Sequence, residues 1–96
     1  MLLKSATKIL KQHQKKLVGL GVRALAIFGS VARNESTSKS DVDILIDFES
    51  KRGLFAFVGI KNYIESILDC EVDLVTKSAL HPALKSQILR EAKHVF

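Results

Sequence analysis

There is no tryptophan in these 96 residues, and only one tyrosine, one cysteine and one proline. Each scarcity removes a class of protein. A lone Cys70 cannot make an internal disulfide, so a disulfide-stapled scaffold is excluded. With a single tyrosine, and phenylalanines mostly in core-like positions, no aromatic–basic interleaving offers stacking platforms for single-stranded bases. A nucleic-acid-binding module using the basic first segment is therefore the weakest reading, and it predicts affinity that falls steeply with salt. No apolar run approaches the ~20 residues that span a bilayer. Nor does a secretory hydrophobic segment follow the start, because MLLKSATKILKQHQKK meets a lysine every few residues. A cytoplasmic protein with no membrane role is expected. No repeat, linker or low-complexity segment interrupts the chain, which predicts one domain over residues 1–96.

Acidic residues are absent from residues 1–23, where six basic side chains fall. Residues 24–76 hold nine carboxylates against five basic groups, and 77–96 return to four basic and one acidic, within a net charge of +5. Basic flanks suit phosphate, RNA or an acidic partner, although a solvated helix face explains them more simply. The hydrophobic content of 47% supports a core near the lower size limit for an unstapled fold.

The periodicities predict the order α-β-α-β-α-β-α, an α/β (α+β) class with a small mixed sheet of about three strands. Leu2, Ala6, Ile9, Leu10, His13, Leu17 and Leu20 recur at helical steps and predict one amphipathic helix ending near Gly19 or Gly21. His13 falls on the apolar stripe, where a packed or boundary histidine is expected rather than a ligand. Residues 23–28, 41–48 and 71–76 read as strands. Leu54, Phe57, Val58, Ile60, Ile64, Ile67 and Leu68 predict a long helix over 54–68. Pro82 opens a last one, whose apolar face is Leu84, Ile88, Leu89, Ala92 and Val95.

Chemistry concentrates in FGSVARNESTSKSDVD, residues 28–43, where ten residues separate a Gly-Ser pair from an Asp-x-Asp. On a strand, Asp41 and Asp43 project to one face while Val42 and Ile44 point into a core. Two adjacent carboxylates repel unless a divalent cation lies between them, and Mg²⁺ takes one or two carboxylates with water and phosphate oxygens. Gly29 permits close approach. Ser30 can cap the short helix that follows and present a hydroxyl and free N–H groups to a phosphate. Asp73, in EVDLVT, brings a third carboxylate if its strand lies beside 41–48. Together these predict a two-metal phosphoryl-transfer site. One ion would hold the triphosphate, the other would activate an incoming hydroxyl, and Asp73 would assist its deprotonation.

Blander readings exist for each residue. Asp41 can cap a turn, Asp43 can pair with Arg33, and Asp73 can be an edge-strand charge. Arg33 is expected to pair with Glu35, its alternative being a phosphate contact. Lys77 can reach a phosphate or simply end its strand exposed. Ser40 reads as a turn residue in a polar loop over 34–40, and Asp47 and Glu49 as surface charge.

GSVARNE followed by SDVD resembles the signature of the minimal nucleotidyltransferases, within the DNA polymerase β-like nucleotidyltransferase superfamily. The resemblance extends to EVDLVT and to HPALKSQILREAKHV. It implies a nucleotidyltransferase fold, phosphate binding at Gly29 and Ser30, and two Mg²⁺ ions held by Asp41, Asp43 and Asp73. It further implies an antitoxin that uses ATP to attach AMP to a tyrosine hydroxyl of a HEPN-domain ribonuclease toxin. Larger members carry an added acceptor domain; here the partner is expected to bring the acceptor. An antitoxin acting by contact alone is the alternative. Asn34 replaces a common glycine, and asparagine tolerates the left-handed backbone such a turn requires.

Overall fold

The computed structural model describes residues 1–35 and 41–96; Ser40 and most of the expected 34–40 loop lie outside them. Four strands form one mixed sheet in the order β3-β2-β1-β4: β1 is Val22–Phe28, β2 Val42–Phe48, β3 Val72–Thr76 and β4 Lys93–His94. The helices are α1 (Leu3–Gln12), α2 (Gln14–Gly19), α3 (Gly29–Ala32), α4 (Gly53–Leu68) and α5 (Pro82–Glu91). β1 runs antiparallel to β2 and β4, whereas β2 and β3 are parallel. Parallel neighbours need a crossover, and α4 supplies it.

Alternation along the strands sorts the sheet into two faces. Leu25 and Ile27 of β1, Val42, Ile44 and Ile46 of β2, and Val72 and Leu74 of β3 are buried in a common core with Ala6, Leu10, Leu17, Ile60, Ile64 and Leu68 of the helices. The intervening residues of β2 are Asp43, Leu45 and Asp47, which face the other way. Leu45 is buried outside that core.

Three elements differ from the sequence reading. The first helix is two, broken at His13 (φ −106°, ψ 12°), whose N–H is shared between the carbonyls of Ile9 and Leu10. At the break, His13 Nδ1 and the Tyr63 hydroxyl of α4 lie 2.6 Å apart, with the rings edge to face. His13 is half-buried, while Leu2, before the first helical turn, is exposed. The expected three strands are four, because the closing helix stops at Glu91 and the chain turns to pair with β1. Val95 donates its N–H to the Leu25 carbonyl at 2.8 Å and is buried as part of that edge, not of a helix. Finally, α5 has no buried residue.

Caps account for the helix limits. Pro82 sits in the first turn of α5, where the His81 ring accepts the Ala83 N–H at 3.1 Å. α4 ends on Asp69 in the left-handed region (φ 54°). Asn34 adopts the same region at φ 56°, as expected of asparagine at that turn.

Candidate active site

The strand register assembles the centre of the site. Phe28 lies opposite Asp43 on β1 and β2, and Asp43 lies opposite Asp73 on β2 and β3, so one row across the sheet ends in two adjoining carboxylates. Gly29 follows Phe28 at φ 70°, a left-handed conformation that favours glycine. A Cβ there would collide with a carboxylate oxygen of Asp43 and stand only 2.9 Å from its Cγ. Glycine is thus required twice over, by the backbone and by the carboxylate beside it.

Asp41 is exposed just ahead of β2, and by the two-residue period it shares the Asp43 face. Asp43 is half-buried, Asp73 is exposed, and their carboxyls are within hydrogen-bonding reach. Loss of water pushes the Asp43 carboxyl above the usual carboxylate range; the charges of Asp73 and then Asp41 push it further, and Arg33 opposes them. An anion held there is under electrostatic strain that a nearby cation would relieve.

Among the described residues, no group of three or more His, Cys, Asp or Glu side chains is gathered closely enough to enclose a metal ion. The three expected aspartates thus lie on neighbouring stretches of β2 and β3 without by themselves enclosing an ion. Asp43 and Asp73 adjoin, the charge of Asp41 reaches Asp43, and Asp41 and Asp73 line one cleft. This donor set fits Mg²⁺, whose shell is normally completed by water and phosphate oxygens, rather than an ion bound in a full protein cage.

The remaining expected residues divide. Ser30 is the second residue of α3 and half-buried, but α3 has no side-chain cap; the Ser30 carbonyl instead accepts the Glu35 N–H at 2.8 Å. Arg33 pairs with Glu35 at 3.1 Å, as expected, and also with Glu91 of α5 at 3.1 Å rather than with Asp43. Chiefly the Glu35 hydrogen bond holds its guanidinium charged. Lys77 is not brought to the site. It follows the last residue of β3, four positions beyond Asp73, which is about 13 Å along a strand. There it lines a groove with Asp47, which pairs with Arg23 at 4.0 Å.

Two features escaped the sequence. Glu91 gives no local sign of pairing with a residue 58 positions away. An open cleft of about 580 Å³ also adjoins Asp41 and Asp73, with Lys61 and Glu65 of α4 in its wall. The four-residue spacing of Lys61 and Glu65 places them on one helix face and was a legible signal. Glu65 accepts the Val72 N–H at 2.9 Å, tying α4 to the start of β3 beside Asp73.

Carboxylates on adjacent strands, one of them packed against a glycine turn, are an arrangement that can serve phosphoryl-group transfer. The family model described as nucleotidyltransferase domain matches residues 3–95. The chain is 42% identical to the protein adenylyltransferase MntA of Thermococcus cleftensis, over 97% of this chain and 95% of that protein. A solved structure of a protein assigned as a minimal nucleotidyltransferase superposes with a TM-score of 0.85 at 34% identity, covering 97% of this chain and 95% of the other. In fold alone, the chain also resembles one from a complex of a tri-AMPylated Shewanella oneidensis HEPN toxin with an MNT antitoxin. There the TM-score is 0.67 at 20% identity, with 94% of this chain and 71% of that one covered. The chain belongs to the nucleotidyltransferase-domain family, in its minimal form.

Proposed function

We propose that this nucleotidyltransferase is an antitoxin that transfers AMP from ATP to a tyrosine hydroxyl of a partner HEPN ribonuclease toxin and thereby neutralises it. The observation that carries the reading is the Asp43–Asp73 register beside Gly29, which puts two carboxylates where a nucleotide phosphate can approach. The family, the adenylyltransferase relative and the AMPylated toxin in the Shewanella complex support the choice of AMP and of a protein acceptor.

Asp41, Asp43 and Asp73 would hold Mg²⁺, one or two ions, with phosphate oxygens and water filling the shell. When bound, the metal supplies charge neutralisation for the triphosphate and acidifies an oxygen nucleophile. The chain's own residues do the rest. Gly29 lets the Asp43 carboxylate lie against the turn that would face the phosphates. The Ser30 hydroxyl is available to a phosphate oxygen. Asp73, exposed on the edge strand, is placed to accept the proton of the incoming hydroxyl as its oxygen attacks the α-phosphorus and pyrophosphate leaves.

The test incubates the purified chain with ATP, Mg²⁺ and the HEPN protein encoded beside it. Intact-mass spectrometry should show the partner gaining whole AMP units on tyrosine. Absence of any adduct at every enzyme concentration would end the transfer reading. Protection of cells by an Asp41→Asn, Asp43→Asn double variant at equal expression would show that contact alone suffices.

A further inference from the structure

We propose that the exposed face of α5, with the groove beneath it, is the surface on which the acceptor protein docks through an apolar segment rimmed by acidic residues. The proposal rests on the transfer reading above for the identity of the partner, but its geometry is independent of it.

A ten-residue helix is marginal in water by itself, and helices of this length persist by burying an apolar face. α5 buries no residue, and it leaves Leu84 53% and Leu89 41% exposed. Under Leu89 lies a groove of about 200 Å³ floored by Ala24 and Ala26 of β1 and Leu45 of β2. The small alanines leave the space open. Leu45 lies two residues from Asp43 on the same sheet face, so the groove and the carboxylates form one continuous surface.

The direction of α5 ties it to the chemistry. It starts beyond the far end of β3 and ends at Glu91, whose carboxylate meets Arg33 just after α3 at 3.1 Å. An acceptor seated on α5 can present a hydroxyl to Asp43 along the same sheet face. The other exposed apolar patch, Leu54, Phe55 and Val58 on α4, is not so placed. Leu54 lines a pocket with Phe48 and Thr76, the last residues of β2 and β3, at the opposite end of the strands.

Charge selects the occupant. Glu91 is the one acid among residues 77–96, and Arg33 occupies it. Among the described residues, Lys85 and Arg90 of α5 have no ion-pair partner, and the acid in the groove, Asp47, is paired with Arg23, so the rim is positive. A second copy docking by two-fold symmetry would set this rim against itself. A partner with acidic residues around an apolar anchor is complementary.

The experiment compares wild type with Leu84→Glu/Leu89→Glu and with Lys85→Glu/Arg90→Glu. Affinity for the purified HEPN protein is measured by calorimetry without nucleotide, and transfer is measured with Mg²⁺-ATP. Both variants should bind the partner at least tenfold more weakly and show a raised KM for it. Their melting temperatures should rise with Mg²⁺-ATP as wild type does, which reports an intact fold and nucleotide site. Unchanged affinity in both variants overturns the docking surface, as does a wild-type dimer that either variant converts to monomer. Tight wild-type binding that the variants weaken, with no AMP transferred, upholds the surface and overturns the transfer reading instead.

Discussion

The two faces of β2 are built to different rules, although their residues alternate along seven positions. Val42, Ile44 and Ile46 are entirely buried against α1, α2 and α4. Asp43, Leu45 and Asp47 look onto a face that α5 covers incompletely. One side is packed for stability, where removed atoms leave a void. The other accepts adjoining carboxylates that disfavour each other's charge and a helix with nothing buried. A strand can hold both because its side-chain period is two, so an acid and a core residue can be neighbours without sharing an environment.

Substituting neighbours on that strand should separate the two rules. The largest effect expected is on transfer: Asp43→Asn should lower the rate of AMP addition roughly a thousandfold, about 4 kcal/mol of transition-state stabilisation, measured by the rate of adduct formation. The fold should gain from the same change. Asp43 has its carboxyl raised in the folded chain, so its ionised form opposes folding. Its favourable contribution is present below the unfolded-state value and is lost as pH rises through the folded-state value. Asp43→Asn should therefore be more stable than wild type at pH 7, with the difference shrinking on acidification; a constant difference across pH would refute the linkage.

Ile44→Ala, one residue along, should do the reverse. It should cost about 3 kcal/mol by removing a fully buried side chain, and denaturant melts will read it. Its specific activity, measured while folded, should stay near wild type. The smallest effect concerns the link between α1, α2 and α4. Tyr63→Phe removes the hydroxyl that meets His13 and should cost about 1 kcal/mol in the same melts, leaving transfer unchanged.

Much of the fold was legible because it rests on local periods. β1, β2 and β3 begin and end within a residue of their sequence-based limits, and α4 follows from seven apolar positions at helical steps. Gly29, Asp41 and Asp43 were visible because a short motif carries them. Lys77 follows Asp73 by four residues, and the strand carries it to the groove beside Asp47 rather than to the carboxylates. At the break, His13 meets a tyrosine 50 positions away. Val95 fitted a helical face by spacing, yet a backbone pairing with Leu25 claimed it.

By itself the sequence determined the class of most elements, the core side of β2, and the glycine and aspartates of the motif. These follow from side-chain periodicity and backbone preference, which act over a few residues. Tertiary structure alone decided that Asp73 lies in register with Asp43, that Arg33 binds Glu91, and that α5 lies across the carboxylate face with its leucines uncovered. Those are outcomes of strand order and chain direction, set by how the whole core packs, and no local pattern encodes them.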